Sequence, residues 1–173
     1  CTKLRSVVLP YNCIEIRGEA FNQCSSLETL IMFDKVQKVA SFSNSQVSID
    51  KVVYYGTLKQ WCEISGHHSY LYGTNYFYVN ENELIQNLDF SQHPEITKIS
   101  SGAFRGYNGL KSVIISEQID TTDSTYVFSE CHNLSDVTIN TDINGQSWFE
   151  NCSNSLKNAY LNPHKKIHFP PFF

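Results

Sequence analysis

Six cysteines are the residues of this sequence with the most obvious chemical potential. No two of them form a Cys-x-x-Cys pair, so the sequence does not predict a zinc site of the usual spacing. Cys13 and Cys62 stand apart, and the sequence leaves open whether either one forms a disulfide. The others recur in one phase of a repeat, as small buried hydrophobic residues do. These four are predicted to be buried free thiols: Cys1, Cys24, Cys131 and Cys152.

Histidines and carboxylates offer little support for catalysis or metal binding. His67 and His68 are adjacent, and neighbouring side chains diverge on a helix or a strand, which favours a solvated loop. Asp120 and Asp123 lie in a polar stretch that lacks the glycine and the terminal glutamate of a calcium-binding EF-hand loop. Nucleophile-elbow, zinc-protease and phosphate-loop motifs are also missing from the sequence. We therefore predict no catalytic residue, no metal, no cofactor and no enzymatic activity.

Composition limits the partners that the chain can have. The 173 residues are 41% hydrophobic and 17% charged, with a formal net charge of −4. Such a chain has enough apolar material for one folded domain, and without a basic cluster it is not expected to bind nucleic acid. No apolar run approaches the roughly 18 residues that a membrane-spanning helix needs. The chain starts at Cys1 without a signal peptide, which suggests a processed chain or a fragment.

The sequence repeats itself about every two dozen residues. Four segments share an apolar residue, Phe, a variable stretch and Leu: residues 20–27, 103–110, 127–134 and 148–156. Phe128 follows Phe104 by 24 residues, Phe149 follows Phe128 by 21, and Phe42 follows Phe21 by 21. Because a unit this short cannot bury its own apolar side, the units are expected to stack and to align the Phe rings in one internal column.

Each repeat ends in an alternating apolar pattern that predicts a short strand. In the clearest copies, the inward positions are Leu27, Leu30, Met32; Leu110, Val113, Ile115; Leu134, Val137, Ile139; and Leu156, Ala159, Leu161. One strand from each repeat would stack into a parallel sheet. The sequence thus predicts a β-rich (α+β/β) solenoid of five to six repeats, with one short parallel strand in each repeat.

The pattern Ala-Phe-x-x-Cys-x-x-Leu-x-x-Val-x-Ile, preceded by Ile-x-x-Ile, resembles BspA-type leucine-rich repeats over about four fifths of the chain. Its best copy is residues 96–115, although Tyr107 replaces the usual Cys there. Residues 53–61 resemble a segment that closes one array in gut-bacterial members of the family, and residues 76–84 resemble a hairpin that opens the next. The resemblance implies a right-handed leucine-rich-repeat solenoid and a secreted or cell-surface protein.

Spacing divides the chain into four parts. Residues 1–55 and 91–161 are predicted to be two blocks of repeats, the first of which begins inside a repeat. Residues 56–90 break the period and are predicted to form a junction, with a short helical turn at Leu58 and Trp61. A hairpin is expected there, pairing residues 76–79 with residues 84–90. Residues 162–173 form a proline-containing tail that either covers the last repeat or ends free. One continuous solenoid is favoured, since both blocks use the same repeat.

The outward strand positions are the best candidates for a binding surface, because stacked strands align them on one face. They mix aliphatic, aromatic and small polar groups, as protein interfaces do. The alternative is that they only satisfy strand propensity. The predicted partner-binding residues are Thr29, Ile31, Val53, Tyr55, Ser112, Ile114, Asp136, Thr138, Asn158 and Tyr160.

Two functions fit these features. The family resemblance implies binding or adhesion to a protein of a host or a neighbouring cell. Such binding is expected to use the outward strand face, with Tyr55, Ile114 and Tyr160 as anchors. The alternative is a structural role as a rigid spacer in a larger assembly, such as a fibre or a virion. A soluble monomer would favour the binding role and an obligate multimer the structural role, and the sequence does not specify the oligomeric state.

Overall fold

A computed structural model describes residues 1–18, 20–40, 47, 49–66, 71–144, 147–152, 156–163 and 167–168 of the chain. Its main strands form two ladders, each stacked in chain order. The first ladder contains β1 (Ser6–Val8), β3 (Thr29–Met32), β5 (Lys51–Tyr54) and β7 (Tyr76–Val79), with β8 (Glu83–Leu84) antiparallel at its edge. The second contains β9 (Asn87–Asp89), β10 (Ser112–Ile115), β11 (Asp136–Ile139) and β13 (Asn158–Leu161), all parallel.

Two smaller parallel ladders contain the second strands of the repeats. One pairs β2 (Glu15–Ile16), β4 (Lys38–Val39) and β6 (Ser65–Gly66), and the other pairs β12 (Ile143–Asn144) with β14 (Ile167–His168). Helix is limited, in the described residues, to α1 (Leu58–Glu63) and a 3₁₀ turn at Phe90–Gln92. About six turns of this kind form a β-solenoid, which confirms the predicted fold class.

Register places the predicted inward residues on top of one another. Leu30 pairs with Val52, and Val113 pairs with Val137; all four side chains are buried. Each rung thus buries its apolar positions against the next, which is how a short repeat gains a core. Burial is incomplete at the outer rung of each ladder: Val7 on β1 is half-buried, and Ala159 and Leu161 on β13 are exposed.

The expected column of Phe rings is present in the second block. The ring centroids of Phe104 and Phe128 are 5.4 Å apart with planes 10° from parallel, and those of Phe128 and Phe149 are 5.6 Å apart at 12°. Phe77 extends the column, since its ring centroid lies 6.4 Å from that of Phe104. Phe21 is buried in the first block. Phe42, which also belongs to the predicted series, lies outside the described residues, as do residues 67–70 and most of the tail.

The junction predicted at residues 56–90 contributes to the stack. Helix α1 begins at a capping box, in which Thr57 accepts a hydrogen bond from the Gln60 backbone and donates its own backbone N–H to the Gln60 side chain. Trp61 is fully buried, and its indole N–H donates to the Ala103 carbonyl over 3.0 Å. This bond links helix α1 to the second block, and the contact of the Trp61 ring with that of Tyr54 links it to the first.

The predicted hairpin is present, but its second strand was predicted too long. On the hairpin side, strand β7 pairs with strand β8, which is only two residues long. The chain then leaves the hairpin. Residues 87–89 form β9, which pairs in parallel with β10 and begins the second ladder. Alternation over residues 84–90 therefore reflects two successive strands with different partners.

Tyr107, at the position where the repeat usually has Cys, packs beside the hairpin, with its ring centroid 5.9 Å from that of Phe77. Its buried hydroxyl donates to the Ile85 carbonyl and accepts from the Phe77 backbone N–H over 3.2 Å. Burial raises the pKa of Tyr107 to about 12, so the hydroxyl keeps its proton at neutral pH. A thiol is too short to reach both groups, which explains the departure from the repeat pattern.

Candidate functional site

Three aromatic side chains form a column on the outside of the first block. Tyr11, Phe33 and Tyr55 are 22 residues apart in sequence. The ring centroids of Tyr11 and Phe33 lie 5.5 Å apart, and those of Phe33 and Tyr55 lie 5.0 Å apart. Tyr11 is 63% exposed and Tyr55 is 41% exposed. We call these three residues the aromatic column.

An apolar row runs beside the aromatic column. It consists of the third residue of each parallel strand in the first ladder, a position on the outer face of the sheet: Val8, Ile31, Val53 and Tyr78. Because side chains on one face of a strand are two residues apart, Ile31 and Val53 share a face with Phe33 and Tyr55. Lys51 lies with its ammonium 5.0 Å from the centre of the Tyr78 ring. The column and the row together form one surface, which we call the aromatic face.

A carboxylate borders the aromatic face at Tyr55. The Tyr55 hydroxyl donates a hydrogen bond to Glu81 Oε1 over 3.2 Å. Desolvation and the charge of Glu81 raise the pKa of Tyr55, so the hydroxyl remains a neutral donor. This hydrogen bond and the contact with Phe33 both restrain the Tyr55 ring.

The structure separates the predicted binding residues into two groups, one on each ladder. In the first ladder, Thr29 and Ile31 are half-buried on β3, and Tyr55 is exposed just after β5. Val53 requires a correction: it is only 7% exposed, because Ile31 and Tyr78 flank it on the neighbouring strands. An outward position in the middle of a ladder can thus be covered by its own neighbours.

The second group forms two rows across the second ladder. One row pairs Ser112 with Asp136 and Asn158, and the other pairs Ile114 with Thr138 and Tyr160. The side chains of these residues on β10 and β11 are half-buried. Asn158 and Tyr160, on β13, are exposed, Tyr160 to 62%. Asn158 Nδ2 donates to Asp136 Oδ1 over 2.6 Å, so this polar row bonds within itself.

Sequence reasoning missed Tyr11 and Phe33. They lie after β1 and β3, outside the strand alternation from which the outward positions were taken. The signal that could have found them is the spacing of 22 residues shared by three aromatic residues, which places them on successive turns. The aromatic face is therefore more apolar than the predicted set of residues implied.

The cysteines behave largely as the repeat predicts. None of the six described cysteines forms a disulfide, and Cys24, Cys131 and Cys152 are buried. The Cys131 thiol lies 3.1 Å from the Phe104 carbonyl, and the Cys152 thiol lies 3.0 Å from the Phe128 carbonyl, so each thiol contacts the preceding turn. Cys1 is exposed, contrary to the prediction, since β1, the strand that follows it, is the outermost strand of the first ladder among the described residues.

In the polar loop at Asp120, the carboxylate is already engaged by neighbouring residues of the chain. Asp120 Oδ1 accepts from the Thr122 hydroxyl over 2.7 Å and from the Thr122 backbone over 3.0 Å, and these bonds lower the pKa of Asp120. Lys98 lies 3.6 Å from the other carboxylate oxygen. Within the described ranges, no three His, Cys, Asp or Glu residues are grouped as a metal site requires.

Parallel strands at one per turn, inward aliphatic residues and a column of Phe rings define this molecule as a leucine-rich-repeat solenoid. The chain belongs to the BspA type leucine rich repeat family, whose model matches residues 1–63 and 69–168 in six copies. No curated protein matches the sequence significantly. In the part of the chain that the structure describes, no helix has the length and apolarity needed to cross a membrane.

Two solved structures are similar to this chain. One is a leucine rich cell surface protein from Faecalibacterium prausnitzii, with 14% identity and a TM-score of 0.49. That match covers 94% of this chain, and the chain spans 61% of the length of the other protein. The second is the T. pallidum leucine rich repeat protein, with 16% identity and a TM-score of 0.40, covering 80% of this chain and 73% of the other.

Proposed function

We propose that this chain is a non-enzymatic, protein-binding repeat array of a cell surface, and that it adheres to a protein of a host or neighbouring cell through the aromatic face. One observation carries the proposal: three aromatic rings form a column of contacts beside an apolar row, with the half-buried Phe33 between the exposed rings of Tyr11 and Tyr55. Interfaces are enriched in aromatic residues, and Tyr is among the residues that contribute most to binding energy.

The construction of the aromatic face supports the same role. Tyr55 is held by Glu81, and its ring contacts Phe33, so little side-chain freedom is lost when a partner covers them. Strands β3 and β5, which lie beneath the face, are paired on both sides, so their backbone polar groups are already used in the ladder. A partner therefore gains apolar contact area without disrupting the repeat.

Flow cytometry of the labelled chain on panels of mammalian epithelial cells and bacterial cells tests this proposal. We expect saturable binding that is lost when the cells are first treated with trypsin. The variant Tyr11→Ala/Tyr55→Ala should bind at least about thirtyfold more weakly, because two aromatic anchors of an interface typically contribute 1–2 kcal/mol or more each.

Two other tyrosines provide a matched control. Tyr126 and Tyr160 lie in the second block and are 41% and 62% exposed, close to the values of Tyr55 and Tyr11. Tyr126→Ala/Tyr160→Ala should retain most of the binding. Equal losses in the two double variants, or binding that survives trypsin treatment, would contradict a protein partner at the aromatic face.

A further inference from the structure

An open groove of about 690 Å³ lies on another part of the surface, where the chain enters the strands of the second ladder. Lys111, Lys157 and His132 line it together with four amide side chains and Tyr76. None of these residues belongs to the aromatic face. We call it the pre-strand groove.

The two lysines give the pre-strand groove a positive charge in a chain whose net charge is −4. Among the described residues, neither lysine forms an ion pair. The carboxylate that Lys157 influences is Asp136, whose pKa is lowered first by the Ser135 hydroxyl and then by Asn158. Its oxygens are thus already engaged in hydrogen bonds, which leaves the ammonium groups available to an external anion.

The spacing of the lysines favours a ligand longer than a simple ion. The Ser135 backbone N–H donates to the Lys111 carbonyl, and the Lys157 N–H donates to the Ser135 carbonyl, both over 2.9 Å. Lys111 and Lys157 are therefore two rungs apart, about 9.5 Å at the usual strand spacing. An extended molecule carrying acidic groups can reach both ammonium groups, whereas an inorganic anion reaches one.

Amide side chains make the pre-strand groove suitable for hydroxyl groups. Gln86 and Asn108 line it, and within the described structure their side chains form no hydrogen bond with other residues. Each free amide presents two N–H donors and a carbonyl acceptor, a combination that pairs with the donor and acceptor of a sugar hydroxyl. Asn133 is held in place, since its amide donates to the Asn108 carbonyl over 2.9 Å.

Tyr76 supplies the remaining element of a saccharide site. It lines the pre-strand groove and is 47% exposed, so part of its ring is open to solvent. An aromatic ring of this kind offers an apolar face for the C–H side of a sugar ring and a polar tip that stays in water. From the free cations, the free amides and this ring together, we propose that the pre-strand groove binds an acidic oligosaccharide.

Titration of the folded, ¹⁵N-labelled chain with trigalacturonate, followed by NMR, tests the proposal. The side-chain amide signals of Gln86 and Asn108 should shift, with an affinity at least tenfold higher than for the neutral maltotriose. Lys111→Ala/Lys157→Ala should weaken trigalacturonate binding about tenfold, because each exposed ion pair contributes up to roughly fivefold. Tyr76→Ala should weaken the binding of both saccharides.

Three arms separate this site from general charge effects. Lys3→Ala/Lys35→Ala removes the same two charges elsewhere on the surface, and this variant should bind trigalacturonate like the unmodified chain. Triglutamate and sodium sulfate at equal ionic strength should each bind at least tenfold more weakly than trigalacturonate. The proposal is overturned if triglutamate binds equally well, if both double-lysine variants lose affinity alike, or if trigalacturonate leaves the amide signals unmoved. Since the aromatic face takes no part, these results are independent of those on intact cells.

Discussion

The stack of Phe104, Phe128 and Phe149 predicts unequal costs for removing its rings. Phe128 is fully buried between the other two, at 5.4 Å from Phe104 and 5.6 Å from Phe149. A buried Phe→Ala change costs 3–5 kcal/mol, and a close aromatic pair adds about 0.5–1.5 kcal/mol. Phe128 loses two such pairs, so Phe128→Ala should lower the free energy of unfolding by about 5 kcal/mol.

The half-buried Phe149 provides the comparison. It has one stacked neighbour, so Phe149→Ala should cost about 2 kcal/mol, near half the value for a buried Phe. Phe128→Leu keeps most of the volume and should cost about 1.5 kcal/mol. This milder variant keeps the test informative if Phe128→Ala leaves too little folded protein to measure.

Urea unfolding followed by tryptophan fluorescence measures these costs, since Trp61 and Trp148 are both fully buried. With a slope of about 2 kcal/mol per molar urea, the midpoint should fall by about 2.5 M for Phe128→Ala and by about 1 M for Phe149→Ala. A cost below about 1.5 kcal/mol for Phe128→Ala, or equal costs for both positions, would refute the stacked column.

Three further predictions concern the buried Tyr107 hydroxyl, the Glu130 carboxylate and the cysteine thiols. Tyr107→Phe leaves two buried backbone groups unpaired and should lower the unfolding free energy by about 2–3 kcal/mol in the same urea assay. Burial opposes ionisation of Glu130, but hydrogen bonds, chiefly from Arg105, outweigh it and lower its pKa below the usual 4.5. The carboxylate therefore stabilises the fold above that pH and loses its effect as the pH falls through the lower folded value, so the stability difference from Glu130→Gln should shrink in acid melts. In thiol labelling, Cys1 and Cys13 should react in the native state, and the buried thiols only after unfolding: Cys24, Cys62, Cys131 and Cys152.

The inward positions were predictable because the same buried position recurs in every repeat of the sequence. Leu30 and Val113 each belong to an alternating pattern that recurs in several copies, and stacking leaves such positions only one apolar environment. The spacing of Phe104 and Phe128 fixed their place in the column for the same reason. These features depend on the period alone.

Other features depend on which strands become neighbours, a choice that local alternation does not contain. Val53 is covered by residues 22 and 25 positions away, and β9 leaves the hairpin to pair with β10. The contact of Tyr11 with Phe33 lies beyond the strand ends, where the alternating pattern stops. For this reason, the sequence predicted the strand face but missed most of the aromatic column.

Photo-crosslinking tests the proposed function most directly. Benzoylphenylalanine is placed at Phe33, in the centre of the aromatic face, or at the half-buried outward position Thr138 of the second ladder. After irradiation on cells that bind the chain, we expect a discrete, trypsin-sensitive adduct from position 33 and little from position 138. Equal adducts from both positions, or an adduct from position 138 alone, would contradict binding through the aromatic face.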